Sequence, residues 1–75
     1  MTPRIPALKA RQLITILNRM GFQVVRQSGS HVFLKHLDGR VTVVPMHQGQ
    51  DIGRGLLRQI LRDINVTPKQ FLEYL

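Results

Sequence analysis

FQVVRQSGSHVFLKHLDGRVTVVP, residues 22–45, decides the fold of this 75-residue chain. Three runs rich in Val, Phe and Thr are separated by two short breaks, Ser28-Gly29-Ser30 and Asp38-Gly39. Runs of this kind bounded by Gly, Ser and Asp read as strands joined by tight turns. The first strand is expected over Phe22–Arg26 and the second over His31–His36. The third ends at Pro45, which has no N–H to donate to a ladder. Gly29 makes the first turn. Asp38-Gly39 reads as a two-residue type I′ hairpin turn, the strongest local signal in the chain.

That turn predicts a register, with Leu37 opposite Arg40, His36 opposite Val41, Leu34 opposite Val43 and Val32 opposite Pro45. Side chains alternate between the two faces of a strand, so Val32, Leu34, Val41 and Val43 are expected on the core face. His31, Phe33, Lys35, Thr42 and Val44 are expected on the other. His31 therefore points away from the helices.

Working outward, a helical period starts at about Lys9. Ala10, Leu13, Ile14, Leu17 and Met20 form one apolar stripe, which Ile16 could extend. Its N-terminus has no capping side chain, whereas Gly21 suits a left-handed stop with Phe22 folding back on Leu17. Residues 1–8, with Pro3 and Pro6, read as an extended lead-in. On the other side, Met46–Gly53 reads as a loop. A second helix follows over Arg54–Ile64, with Leu56, Leu57, Ile60, Leu61 and Ile64 as its apolar stripe. Asn65 can take a left-handed stop, and Thr67-Pro68-Lys69-Gln70 has the form of a capping box opening a last short helix. That helix is expected to bury Phe71, Leu72 and Leu75.

The order α-β-β-β-α with a short extra C-terminal helix predicts an α+β two-layer sandwich, with the helices on one face of the sheet. It matches the double-stranded-RNA-binding fold. The length suits a single domain over residues 1–75.

Eleven Lys and Arg against four acids give a net charge of +7, which favours polyanions and nucleic acid first. An acidic protein partner is the second choice. Cysteine is absent, excluding a disulfide framework and a thiolate zinc site and fitting a cytoplasmic protein. No apolar run has the length of a membrane span, and Met1–Ala10 lacks the apolar centre of a signal peptide. The spacing of His31, His36 and His47 matches no zinc-binding pattern, so no metal or cofactor is expected. Ser28 and Ser30 lack a base–acid series. Histidine alone exchanges a proton near neutral pH without a perturbed pKa, so His31 reads either as a catalytic group over RNA or as a half-exposed polar residue.

Gly21-Phe22, Arg26-Gln27-Ser28-Gly29-Ser30-His31, Asp38-Gly39-Arg40, Pro45-Met46-His47 and Gly55-Leu56-Leu57-Arg58-Gln59-Ile60-Leu61-Arg62 occur in this order at fixed distances. The set resembles the HicA family of toxins, small mRNA interferases of toxin–antitoxin pairs, from about Leu8 to Leu72. One departure is Gly55-Leu56-Leu57, where the family commonly has Gly-Thr-Leu. The resemblance implies the double-stranded-RNA-binding-like fold, metal-independent cleavage of mRNA, and a cognate HicB-like antitoxin as partner. It carries the family's catalytic histidine onto His31. Arg26 and Lys35 would then support phosphate charge, and Ser30 would shape the turn or bond phosphate. Arg54, Arg58 and Arg62 recur every four residues and could contact the RNA backbone, or form a solvated helix face. His47, brought near by its loop, or a water could supply the second proton transfer. Otherwise His47 is an exposed loop residue, and His36 is read as structural. The competing class is a non-catalytic RNA-binding module of the same fold. A third is a protein-interaction domain whose basic face docks an acidic partner.

Overall fold

The computed structural model describes residues 4–47 and 49–75. In order, its elements are α1 (Ala10–Arg19), β1 (Phe22–Ser28), β2 (His31–His36), β3 (Val41–Pro45), α2 (Arg54–Asp63) and α3 (Pro68–Leu72). The strands form one antiparallel sheet ordered β1-β2-β3. This is the expected α-β-β-β-α sandwich with its short C-terminal helix. Among the described residues no helix is long and apolar enough to cross a membrane. Positions 1–3 of the expected lead-in lie outside the described residues. From Arg4 the chain runs to Leu8, which is buried and accepts a hydrogen bond from the Ile52 N–H at 2.7 Å.

The helix ends follow their local chemistry. Lys9 precedes α1 and has no side-chain acceptor, so only Gln12 Oε1 reaches back to the Lys9 N–H, at 2.9 Å. Gly21 closes α1 at φ +100°. At the end of α2, Asn65 is left-handed at φ +56°. Its N–H donates to the Arg62 carbonyl at 3.1 Å and the Val66 N–H to the Leu61 carbonyl at 3.0 Å, a complete Schellman motif. The capping box of α3 is present. Thr67 Oγ1 accepts from the Gln70 N–H at 3.1 Å, and Gln70 Oε1 from the Thr67 N–H at 2.9 Å.

The β2–β3 register differs by one residue from the expected one. The His36 N–H donates to the Arg40 carbonyl and the Gly39 N–H to the His36 carbonyl, each at 2.9 Å. The loop is therefore Leu37-Asp38-Gly39, three residues long, with Gly39 left-handed at φ +98°. Leu34 faces Thr42, Val32 faces Val44, Phe33 faces Val43 and His31 faces Pro45. This slip turns β3 over. Thr42 and Val44 are buried, while Val41 is 57% exposed and Val43 only partly covered. The reason lies in the turn chemistry, since two- and three-residue loops both accept a left-handed glycine. Here Asp38 selects the longer one, because its carboxylate receives both the Arg40 N–H at 3.1 Å and Arg40 Nε at 2.9 and 3.1 Å. Thr42 is tolerated in the core because its hydroxyl donates to Asp63 Oδ2 at 3.3 Å.

The core lies between the sheet and the helices. It joins Leu13, Ile16 and Leu17 of α1 with Phe22, Val32, Leu34 and Val44 of the sheet. Leu57, Ile60, Leu61, Ile64 and Phe71 complete it from α2, its C-terminus and α3. Ile16 thus belongs to the buried stripe, and Ile14 and Met20 only border it. Leu56 sits about 100° round the helix from Leu57 and is 37% exposed, not part of the α2 stripe as expected. Leu72 is only half-buried, and Leu75 is 50% exposed at the chain end.

Candidate nucleic-acid interface

The face of the sheet turned away from the helices is assembled by two local devices. The first is the turn after β1. Ser28 pairs with His31, leaving Gly29 and Ser30 as the connection, with Gly29 at φ +59°. A positive φ at the first central position suits a II′-type hairpin turn. His31 opens β2 between Ser28 on one side and Pro45 on the other, and is exposed.

The second device is a β-bulge. Phe22 and Val24 pair with His36 and Leu34, whereas Arg26, Gln27 and Ser28 pair with Phe33, Val32 and His31. Val25 is the extra residue. Without it, Arg26 and Ser28 would follow Phe22 and Val24 onto the helix-facing side. With it, they join His31 and Phe33 on the open face, as bulges re-aim side chains elsewhere. The Arg26 guanidinium carbon consequently lies 4.4 Å from the centre of the Phe33 ring.

Lys35 alternates with His31 and Phe33 and is exposed on the same face. The sheet thus brings His31, Arg26 and Lys35 together on one surface. Gln23, Ser28, Val41, Val43 and Pro45 make up the remaining positions of that face by register, and none is acidic. Three of the four acids are engaged elsewhere. Asp38 binds Arg40, Asp51 binds Lys9 Nζ at 2.9 Å, and Asp63 takes the Thr42 hydroxyl. The positive charge of the open face is not neutralised by a neighbouring carboxylate, and it is free to attract an anion.

The other expected site residues are placed differently. Ser30 is partly buried, and its carbonyl accepts from the Met46 N–H at 2.6 Å. That bond holds the loop after β3 against the turn, so the backbone of His47 lies one residue from the contact. The exposed His47 side chain lines an open cleft of about 730 Å³ with Met46, Gly49, Gln50 and the start of α1 from Lys9 to Gln12. Arg54, Arg58 and Arg62 are exposed on α2, which packs on the opposite side of the sheet from His31. Arg54 and Arg58 instead flank a shallow groove with Arg4, Ile5 and Pro68. Among the described residues no three His, Cys, Asp or Glu side chains gather as metal ligands.

The family model of the HicA toxin of bacterial toxin–antitoxin systems matches residues 10–66 of the 75. The chain belongs to the HicA toxin family. The matched span runs from the first residue of α1 to the residue that closes the α2 Schellman motif, so it contains the whole sheet and both long helices. Membership places this HicA-family chain in a toxin–antitoxin system, with an antitoxin as its partner. No curated protein matches the chain. Two features of this surface were not read from the sequence, the Val25 bulge and the contact of Arg26 with Phe33. The available signal was the adjacent pair Val24-Val25, two β-branched residues where strict alternation calls for one.

Proposed function

We infer that this HicA-family chain is an endoribonuclease that cleaves mRNA without a metal, with His31 as general acid or base and a HicB-like antitoxin as its neutralising partner. The observation that carries this reading is the exposure of His31 on a face that also holds Arg26 and Lys35 and no acid. RNA brings its own nucleophile, the 2′-hydroxyl beside each phosphate. Cleavage needs a base for that proton, cationic support for the phosphorane, and an acid for the leaving 5′-oxygen. An imidazole serves as base or acid near neutral pH, each role contributing about 10²–10⁴-fold. Arg26 and Lys35 supply the cationic support. His47 or water completes the proton transfer, and the contact between Ser30 and Met46 keeps the His47 loop beside the turn. Ser30 shapes that turn. Arg54, Arg58 and Arg62 give a second basic surface for backbone phosphates of a longer RNA. An antitoxin covering the His31 face blocks the substrate directly.

The test is His31→Ala measured for melting, RNA binding at fixed salt, and cleavage in EDTA. His31 is exposed, so stability should shift by no more than about 1 kcal/mol. Binding should persist while cleavage falls by about 10²-fold or more. A variant that folds and cuts RNA like the parent removes His31 from the mechanism. A parent that binds RNA but never cuts it leaves a non-catalytic RNA-binding module.

A further inference from the structure

We propose that the stacked pair Arg26–Phe33 is a platform for one unpaired base of the RNA next to the phosphate held at His31. The inference rests on the RNA reading above and names the form of the substrate, a single strand with an accessible base.

Phe33 is the odd phenylalanine of the chain. Phe22 and Phe71 are fully buried in the core. Phe33 instead lies on the open side of β2, half-covered, with the guanidinium of Arg26 over its ring. Beside it on β3 stands Val43, and no helix covers this face. The ring shares an open apolar cleft with Val25, Val41 and Val43, and it carries the Arg26 guanidinium. The bulge at Val25 is what brings Arg26 across from it, at the expense of a regular β1–β2 ladder.

The geometry suits a nucleotide. Phe33 is two residues from His31 on the same side of one strand, about 7 Å along it. One nucleotide of an extended strand spans that distance from phosphate to neighbouring base. Bases stack on aromatic rings and on guanidinium planes, in a way that tolerates any base identity. The cation–π contact with the ring braces the exposed Arg26 guanidinium on the open face, where a base can join the pair. Lys35, one further alternation along β2, continues the positive track in the same direction.

The test compares two strands of about 12 units. One is 2′-O-methyl oligoadenylate, whose blocked 2′-oxygen cannot attack its phosphate. The other is a backbone of the same length and charge that carries no bases. The parent should bind the adenylate at least about 5-fold more tightly than the baseless strand. Arg26→Lys keeps the charge but loses the plane, and Phe33→Leu keeps apolar cover but loses the ring. Both variants should lose the preference and bind the two strands equally. Phe33→Tyr should restore the preference. If Phe33→Leu fails to fold, Arg26→Lys decides alone. A parent that binds both strands equally, or an Arg26→Lys variant that keeps the full preference, overturns the platform and leaves the RNA reading intact. A parent that binds neither strand overturns both.

Discussion

Arg40 donates from its guanidinium to the carbonyl of Ile64, tying the tip of the β2–β3 hairpin to the C-terminal end of α2. The same side chain bonds the Asp38 carboxylate through Nε and lies 5.1 Å from the centre of the Phe22 ring. It satisfies a carbonyl that the helix leaves without an intrahelical partner, and places a cation where the helix dipole is negative. Arg40→Ala should lower stability by about 1–3 kcal/mol, since the partly buried Ile64 carbonyl loses its donor, while Asp38 loses the guanidinium but keeps the backbone N–H of residue 40. Urea melts will show it, and an unchanged midpoint would mean that water replaces the guanidinium freely.

Arg40 should also give stability an acid limb. Its side-chain hydrogen bond, helped by its backbone N–H, holds the Asp38 carboxyl below the ordinary carboxylate range. A folded-state pKa lower than the unfolded one stabilises the fold above the unfolded value of about 3.9, and that contribution disappears as pH falls through the lower folded value. Thermal melts from pH 5 downward should therefore lose midpoint in this window, and Asp38→Asn should flatten that part of the curve. An identical acid limb in Asp38→Asn assigns the loss to other carboxylates.

Gly21 and Gly39 are both left-handed, at φ +100° and +98°, yet they should respond differently to alanine. A Cβ on Gly39 meets nothing within 4 Å, whereas one on Gly21 falls 2.7 Å from His36 Nε2. The His36 ring cannot easily give way. It packs edge-on against Phe22 at 5.1 Å, and Nδ1 accepts the Asp38 N–H at 3.1 Å. Gly39→Ala should cost about 1 kcal/mol of backbone strain, and Gly21→Ala clearly more. Equal losses in chemical denaturation would show that His36 moves aside.

Changing Arg54, Arg58 and Arg62 together to Gln should act according to RNA length. These arginines lie across the sheet from His31, so a short single strand seated on the open face should bind as before. A long RNA that reaches the helical layer should bind more weakly whatever its sequence. Its salt dependence should flatten by about 0.7 log units per lost phosphate contact. Fluorescence anisotropy at several salt concentrations measures both. An unchanged slope for the long RNA would leave the row a solvated surface or a contact for the antitoxin.

Local chemistry was readable directly from the chain. The strand and helix order, the left-handed stops at Gly21 and Asn65, the Thr67 capping box and the outward direction of His31 each depend on a few adjacent residues. So does the basic character of the surface, and the ordered motifs were enough to point to the HicA family. The facing of β3 was decided only in the folded protein. Asp38-Gly39 is compatible with two loop lengths, and the choice fell to Arg40, whose partners on Asp38 and Ile64 are brought together by tertiary contact. Burial of Thr42 followed, because Asp63 of α2 stands ready to take its hydroxyl. The bulge at Val25 is of the same kind. A strand can absorb one extra residue anywhere that the pairing of its neighbours allows, so which residues share a face with His31 is settled by the whole sheet. The separation of Arg54, Arg58 and Arg62 from that face follows from the packing of α2 on the other side, which a period of four along one helix does not reveal.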